Sequence, residues 1–232
     1  MGETESMRLA VSEIFGPTVQ GEGPLAGWPA VFLRLMGCNL RCRWCDTPYT
    51  WDGSRFDLKA ETRRLEPEHA AERISDIMGG KEMLLVVTGG EPMLQQHALA
   101  QLLQHLPQQR VQVETAGTVP PLPILDVSYV VSPKLHHSGN NGSRYVPAAL
   151  NALRDTGRVD GWKFVLAGVR DYREVDWMVE QHQLAPVYIM AEGTDSWRLA
   201  ERLAELAPDA IERGYRLTPR LHIDLFGNRR GV

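Results

Sequence analysis

Three cysteines are the most informative group of reactive side chains in this 232-residue chain. Cys38, Cys42 and Cys45 are its only cysteines, and they fall within eight residues in a CxxxCxxC arrangement. The disulfide framework of a small secreted protein would use an even number of cysteines spread along the chain. Clustered cysteines are instead typical of a metal site, and thiolates alone can hold an iron–sulfur cluster.

The same thiolates could also bind zinc. Structural zinc sites use four protein ligands, such as three cysteines and one histidine, and leave no coordination position open. The histidine nearest to the triplet in sequence, His69, falls in a predicted helix, so a fourth ligand would have to come from elsewhere in the fold. On a four-iron cluster, three cysteines would leave one iron open to a small chelating ligand. We therefore expect an iron–sulfur cluster, with a non-catalytic zinc-binding module as the alternative.

The composition narrows the class of protein. The chain is 43% hydrophobic and 23% charged, which is ordinary for a globular domain. Its net charge of −4 gives no basic excess for a nucleic-acid backbone. No apolar run approaches the roughly 20 residues that cross a bilayer, and the N-terminal MGETESMRLA lacks the apolar core of a secretory signal. We expect a cytoplasmic protein with one domain, residues 1–232, and with no nucleic-acid or membrane partner.

Short apolar runs alternate with segments of helical periodicity. The runs predict strands at Leu9–Phe15, Ala30–Met36, Met83–Thr88, Val111–Thr115, Ser128–Ser132, Lys163–Leu166, Val187–Met190 and Tyr215–Thr218. Helices are predicted at Glu66–Met78 and Pro92–Leu106, and around Tyr172–Val179 and Leu199–Leu206. Most of the strands have the composition of strands buried on both faces of a parallel sheet. The alternation predicts an α/β fold, either a barrel or an open sheet.

Polar or glycine-rich segments follow four of these strands. They are Gly-Cys-Asn after Met36, Thr-Gly-Gly-Glu-Pro after Val87, Glu-Thr-Ala-Gly after Val113 and Ser-Pro-Lys after Val131. Active sites of parallel sheets gather where the strands end. The four junctions therefore predict a single polar mouth at one edge of the sheet.

The cysteine triplet and the Thr88–Pro92 segment, each after a strand, resemble two motifs of the radical S-adenosylmethionine enzymes. In that family the open iron of a [4Fe-4S] cluster is chelated by S-adenosylmethionine, and an electron from the cluster yields a 5′-deoxyadenosyl radical. The Gly-Gly-Glu-Pro-like motif binds the methionine amino group there, and we expect its glycines to let the backbone approach the ligand. Because the chain of 232 residues is shorter than the roughly 250 residues typical of eight βα units, we expect a single-domain, incomplete TIM-type barrel of the radical S-adenosylmethionine kind.

A narrower resemblance covers nearly the whole chain. The segments similar to the 7-carboxy-7-deazaguanine synthases are Glu13–Gly23, Phe32–Arg34, Gly37–Leu40, Cys45–Thr47, Thr88–Pro92, Glu114-Thr115, Ser132–Lys134 and Gly227–Val232. That family turns 6-carboxy-5,6,7,8-tetrahydropterin into 7-carboxy-7-deazaguanine by a radical ring contraction that loses ammonia, on the route to queuosine and related 7-deazapurines. The resemblance implies a lyase with a [4Fe-4S] cluster, S-adenosyl-L-methionine and Mg²⁺. It also implies a small pterin substrate, an external flavodoxin- or ferredoxin-like electron donor and a homodimer.

The resemblance also implies roles for individual residues. The cluster ligands are Cys38, Cys42 and Cys45, and Thr47 donates its hydroxyl oxygen to magnesium. The S-adenosylmethionine site comprises Trp44, Cys45, Asp46, Gly90, Glu114, Ser132, Pro133 and Lys134. The substrate site comprises Val19, Gln20, Gly21, Glu22, Arg34, Thr88, His222 and the terminal carboxylate of Val232. The loop near the N-terminus and the C-terminal tail are expected to close the site.

The side-chain chemistry of three of these residues suits a pterin. The Gln20 amide offers a donor and an acceptor, and the Glu22 carboxylate can accept from the N–H groups of an aminopyrimidine. Arg34 can pair with a carboxylate in bidentate fashion. A glycyl-radical activating enzyme can share the compact CxxxCxxC, but Gln20–Glu22, Thr47 and Gly227–Val232 favour the small-molecule enzyme. The Ile189–Gly193 segment lacks the Gln-Pro pair of other branches, so it is assigned no adenosine contact.

Overall fold

The computed structural model describes residues 8–106 and 109–232 and contains one nine-stranded sheet. The strands are β1 (Leu9–Val19), β2 (Pro29–Leu35), β3 (Arg63–Leu65), β4 (Leu84–Gly89), β5 (Val111–Thr115), β6 (Ser128–Val131), β7 (Val159–Leu166), β8 (Val187–Ala191) and β9 (Arg216–Leu217). Their order is β3-β1-β2-β4-β5-β6-β7-β8-β9, parallel from β2 to β9. Within the described ranges β3 and β9 do not pair, so the sheet stays open. The predicted α/β fold is confirmed.

The first predicted strand behaves differently from the others. β1 runs on to Val19 and pairs antiparallel with both β2 and β3, so it lies outside the parallel part of the sheet. It is therefore an exception to the composition that most of the predicted strands share, and the second half of β1 is only half-buried. β3 was not predicted, since its sequence Arg63-Arg64-Leu65 has no apolar run to mark it.

Seven helices accompany the strands in the described part of the chain. They are α1 (Leu58–Glu61), α2 (Pro67–Met78), α3 (Gln96–Gln104), α4 (Pro147–Asp155), α5 (Tyr172–His182), α6 (Ser196–Glu212) and α7 (Leu221–Phe226). α2 begins at a proline and ends at Gly79 in the left-handed region (φ +56°), as its sequence predicts. The predicted helix from Pro92 starts instead with a 3₁₀ turn, Pro92–Gln95, before α3. α1, α4 and α7 were not predicted from the sequence; α1 and α7, with four and six residues, are too short to give a clear periodic signal.

The two faces of the sheet divide the core into an outer and an inner part. Leu85 and Val87 of β4 belong to the large apolar cluster, which includes the buried faces of the helices. Their neighbours Leu84 and Val86 point the other way and form a small inner cluster with Ala30. Successive side chains of a strand alternate between faces. The next inward position of β4, at its carboxyl end, is Thr88, where the apolar interior gives way to a polar cavity.

The same alternation brings other polar side chains to the interior. Arg34 of β2 and Glu114 of β5 line the cavity near the carboxyl ends of their strands, and Lys163 lines it from the middle of β7. The predicted polar mouth therefore exists. No helix in residues 8–106 and 109–232 is both long enough and apolar enough to cross a lipid bilayer.

Candidate active site

A cavity of about 400 Å³ lies at the carboxyl end of the sheet, and nearly every residue predicted for the site lines it. The predicted residues that line it are Val19, Gln20, Glu22, Arg34, Cys38, Cys42, Trp44, Cys45, Asp46, Thr47, Thr88, Gly90, Glu114, Ser132, Lys134, His222 and Val232. Gly21 and Pro133 are not part of the lining but lie beside it in the chain. A side chain at Gly21 would collide with His222, because its Cβ would lie 2.0 Å from Nδ1.

The three cysteines are free thiols, and each sulfur accepts one N–H hydrogen bond. The donors are the Leu40 backbone N–H to Cys38 (3.4 Å), Asn140 Nδ2 to Cys42 (3.2 Å) and Trp51 Nε1 to Cys45 (3.3 Å). Burial raises the pKa of the Cys42 thiol and raises that of Cys38 to about 12. Without a metal the sulfurs of Cys38 and Cys42 would therefore stay protonated, whereas iron would replace their protons.

This arrangement fits an iron–sulfur cluster. Donors aimed at thiolate sulfurs are a recurrent feature of such clusters and help to set their potential. Among the described residues, no three or more cysteine, histidine, aspartate or glutamate side chains converge closely enough to hold a single metal ion. A cubane does not need such convergence, because its thiolates bind different irons.

The residues that flank Cys45 are held from outside their loop. Trp44 Nε1 donates to His137 Nδ1 (2.9 Å), and the His137 ring stacks on the indole. Because indole is only a donor, His137 Nδ1 must be an acceptor, and its Nε2–H then donates to the Val165 carbonyl (3.0 Å). Thr47 Oγ1 lies 3.8 Å from Cys45 Sγ. Trp44 is thus held in place by His137, and both Trp44 and Thr47 face the cavity.

The segment that follows β6 contributes an ammonium group to the cavity wall. Lys134 Nζ donates to Ser132 Oγ (2.9 Å) and lies 5.7 Å from the centre of the Trp44 ring. In residues 8–106 and 109–232 no carboxylate forms an ion pair with it. An anionic group of a ligand could therefore pair with Lys134.

The glycines of the Thr88–Pro92 segment have a packing role that the sequence did not predict. A Cβ at Gly90 would lie 1.9 Å from the Gly37 carbonyl oxygen, and one at Gly89 would lie 2.2 Å from that of Leu35. The missing side chains thus let the ends of β2 and β4 approach each other, which brings the cysteine loop against this segment. Both glycines also line the cavity, so the expectation that their backbone approaches a ligand stays a prediction.

Glu91 of the same segment is wholly buried and acts inside the protein. Its carboxylate accepts from Thr115 Oγ1 (2.7 Å) and from the backbone N–H groups of Ala116 (2.8 Å) and Met93 (3.1 Å). Burial raises its pKa, and these hydrogen bonds oppose the rise. Glu91 therefore ties the end of β4 to the end of β5.

A buried ion-pair network surrounds Glu22. Its carboxylate contacts Lys163 Nζ on one side and Arg220 Nε (2.8 Å) on the other. Burial alone would raise the pKa of Glu22, but Lys163 and Arg220 hold it well below its usual value. Lys163 Nζ also lies 3.8 Å from Glu114. Glu22 is thus a fixed, ionised acceptor at the cavity wall.

Arg220 connects three separate segments of the cavity wall. Its Nε contacts Glu22, its Nη1 donates to the Gly193 carbonyl (2.6 Å), and its Nη2 contacts Asp46 (2.5 Å). The prediction did not include Lys163 or Arg220. A lysine inside the apolar run Gly-Trp-Lys-Phe-Val-Leu is a signal that could have found Lys163, but nothing near Arg220 in sequence marks it.

Three more of the predicted substrate residues already have protein partners. The Gln20 Nε2 donates to Gln112 Oε1 (3.0 Å) and Glu114 Oε1 (3.1 Å), so its amide braces the wall. Arg34 Nε pairs with Glu13 (2.6 Å), and the side chains of both are largely buried. Thr88 Oγ1 donates to the other oxygen of Glu114 (3.0 Å).

The C-terminal tail folds back over the cavity. Arg230 pairs with Glu13 (3.1 Å) and Glu61 (2.8 Å), and its guanidinium lies 3.9 Å from the centre of the Tyr49 ring. Residues 228–232 all line the cavity. Burial lowers the pKa of His222, on α7, which leads into this tail.

Comparisons with known proteins show the family to which this chain belongs. A family model described as a 4Fe-4S single cluster domain matches residues 19–118. The 7-carboxy-7-deazaguanine synthase of Pyrobaculum aerophilum is 37% identical over 97% of both chains. The synthase of Hyperthermus butylicus is 37% identical over 93% of this chain and 92% of its own. In the crystal structure of QueE from Escherichia coli, the fold matches with a TM-score of 0.72 at 25% identity, over 95% of this chain and 100% of that one.

These relatives favour the synthase over the activating enzyme and the zinc-binding module. The similarity extends over the substrate loop, the cluster loop and the C-terminal segment alike, because it covers almost the full length of each relative. The chain belongs to the 7-carboxy-7-deazaguanine synthase family of radical S-adenosylmethionine enzymes.

Proposed function

We propose that this chain converts 6-carboxy-5,6,7,8-tetrahydropterin to 7-carboxy-7-deazaguanine with loss of ammonia, as a carbon–nitrogen lyase of queuosine and related 7-deazapurine biosynthesis. One observation carries the proposal: the cysteine triplet and a buried polar wall meet in a single cavity. Its volume of about 400 Å³ is in the range of small-molecule sites.

The cofactors are a [4Fe-4S] cluster and S-adenosylmethionine. When bound, they supply one electron and a nucleoside fragment that takes a hydrogen atom from the substrate. The chain contributes three thiolates for the irons. Trp44, Asp46, Gly90, Glu114 and the Ser132–Lys134 segment would hold the nucleoside and methionine parts, and the Lys134 ammonium would pair with the methionine carboxylate.

The substrate would lie against the wall formed by Glu22, Arg34 and Thr88. The ionised Glu22 accepts N–H groups of the aminopyrimidine, and the backbone at Val19–Gly21 contacts the same edge. Lys163 and Arg220 immobilise Glu22, and Glu13 immobilises Arg34, before any ligand arrives. Little side-chain entropy is therefore lost on binding, and positioning of this kind is a large part of catalysis.

The tail and α7 would complete the enclosure. His222 and Val232 line the cavity on this side. The ion pairs of Arg230 hold the tail to β1 and α1. A covered site excludes water, which strengthens the electrostatic contacts inside it and protects a radical from side reactions. We propose that residues 1–232 act as one domain, in which the N-terminal substrate loop and this tail close the site.

Magnesium, the electron donor and the assembly state complete the proposal. Thr47 Oγ1 faces the cavity near Cys45 and would be the protein ligand of Mg²⁺, which commonly keeps water and substrate oxygens in its remaining positions. We further propose an external flavodoxin- or ferredoxin-like donor, a homodimer and a cytoplasmic location, all of which derive from the family resemblance.

Turnover of the anaerobically reconstituted protein tests the function. Incubation with S-adenosylmethionine, dithionite, Mg²⁺ and the carboxytetrahydropterin should give both 5′-deoxyadenosine and 7-carboxy-7-deazaguanine, and Cys42→Ala should give neither. Deoxyadenosine without the deazaguanine would refute the substrate and point to a partner protein or another small molecule. Zinc in place of iron would refute the radical chemistry.

A further inference from the structure

The segment that follows β6 holds the cysteine loop residue by residue. Residues 137–140 contact each of residues 41–44 in turn. The contacts are the Arg41 N–H to Asn140 Oδ1 (2.6 Å), Asn140 Nδ2 to Cys42 Sγ (3.2 Å), the Arg43 N–H to the Ser138 carbonyl (3.0 Å) and Trp44 Nε1 to His137 Nδ1 (2.9 Å). The geometry of the loop around Cys42 is therefore fixed from a segment almost 100 residues away.

Asn140 is the central residue of this contact. It is 7% exposed, and its side chain uses both ends: the oxygen accepts from the Arg41 backbone, and the nitrogen donates to Cys42 Sγ and to Ser138 Oγ (3.2 Å). The Asn140 amide thus bridges the backbone before Cys42 to the sulfur of Cys42 itself. Neither the site predictions nor the proposed mechanism uses this residue.

A donor on a ligand sulfur affects electron transfer to a cluster. Adding one electron makes the cluster and its thiolates more negative, so an N–H···S hydrogen bond stabilises the reduced state more than the oxidised state. Such a donor raises the reduction potential, and outer contacts of this kind also orient the ligand.

We propose that Asn140 is a positioning residue that fixes Cys42 and raises the reduction potential of the cluster. The inference deepens the proposed function, because it requires the iron–sulfur cluster. The electron comes from the external donor, or from dithionite in the test, and it is added to the cluster without a proton.

Asn39 provides a matched control in the same loop. Its Nδ2 donates to Thr118 Oγ1 (2.9 Å), and its side chain has no contact with a sulfur in the part of the chain that the structure describes. Asn140→Asp keeps the acceptor for Arg41 and loses the donor to sulfur, and Asn140→Ala loses both. Asn39→Asp and Asn39→Ala make the same chemical changes beside Cys38.

The measurement is the midpoint potential of the reconstituted cluster, taken from the EPR signal of the reduced state during a redox titration. Iron and sulfide content are determined for every variant. We expect both Asn140 variants to have a more negative potential than the wild type, and Asn39→Ala to match the wild type. Equal potentials in Asn140→Ala and Asn39→Ala would overturn the proposal.

A second measurement needs no Asn140 variant and applies if those variants fail to keep four irons. Protein labelled with ¹⁵N-asparagine should show a ¹⁵N coupling to the reduced cluster in pulsed EPR, and Asn39→Asp should retain it. If the wild-type cluster gives its EPR signal without that coupling, the role of Asn140 is overturned and the proposed function is not affected. A wild-type protein with no iron–sulfur signal would overturn the proposed function as well.

Discussion

Removal of Arg220 is the perturbation whose consequences the structure defines most fully. Its side chain is 9% exposed, and its three nitrogen positions contact Glu22, Asp46 and Gly193 on separate segments. Arg220→Met keeps much of the length and the apolar stem but removes every donor. Glu22 would keep Lys163, whereas Asp46 would lose its cation.

The size of the effect follows from these contacts. Removing one partner of a buried ion pair costs about 3–5 kcal/mol. Lys163 still compensates Glu22, and Asp46 is 40% exposed and can be hydrated, so the lower end applies. We expect the free energy of unfolding to fall by about 3 kcal/mol. Arg216→Met is the control, because Arg216 of β9 is exposed and its hydrogen bond to Tyr188 of β8 lies outside the cavity lining.

Catalysis should be affected in a specific way. Because Arg220 joins the substrate wall to the residue after Cys45, its loss should misplace the substrate relative to the nucleoside more than it impairs cofactor cleavage. The assay is the ratio of 7-carboxy-7-deazaguanine to 5′-deoxyadenosine, measured together with denaturant unfolding. We expect the ratio to fall in Arg220→Met, to recover partly in Arg220→Lys and to stay unchanged in Arg216→Met. A stable Arg220→Met with the wild-type ratio would refute the reasoning.

Three further perturbations have defined outcomes. Gly90→Ala should destabilise the protein by about 1–3 kcal/mol in denaturant unfolding, because its Cβ meets the Gly37 carbonyl at 1.9 Å. Gly168→Ala, in open space, should change stability by less than about 0.5 kcal/mol, and equal losses would contradict the account. Thr47→Ala should lose the stimulation of turnover by Mg²⁺ while iron content is unchanged, and Thr47→Ser should keep it; stimulation that survives in Thr47→Ala would exclude Thr47 as the ligand. Burial, and then Arg154, lower the pKa of His182 from 6.5, so the folded state binds its proton less readily than the unfolded chain. Stability should therefore fall as pH drops below 6.5, and unfolding of His182→Gln between pH 7.5 and 5.5 should show a smaller fall, whereas an equal fall would assign the effect to other groups.

The parts of the site that are local in sequence could be predicted. The cysteine triplet is contained in eight residues, and the polar junctions directly follow strands whose apolar runs are easy to recognise. Strand alternation then determines that Arg34, Thr88 and Glu114 face the same interior. These features need no knowledge of distant contacts.

The features of the site that the sequence did not predict depend on contacts between residues far apart in the chain. Arg220 lies 198 residues from Glu22 and 174 from Asp46, and Asn140 lies 98 residues from Cys42. No local pattern specifies such pairs. The steric restriction at Gly90 could not be predicted for a related reason, since the atom that excludes a side chain there belongs to Gly37, beyond the end of another strand.

The central claim is that one cavity holds the cluster, the nucleoside and the pterin in contact with one another. An anaerobic crystal structure of the reconstituted protein with S-adenosylmethionine and the carboxytetrahydropterin tests it most directly. The account predicts a four-iron cluster on Cys38, Cys42 and Cys45, with the pterin against Glu22 and Thr88. A pterin bound outside this cavity, or a metal with a fourth protein ligand in place of the open iron, would contradict it.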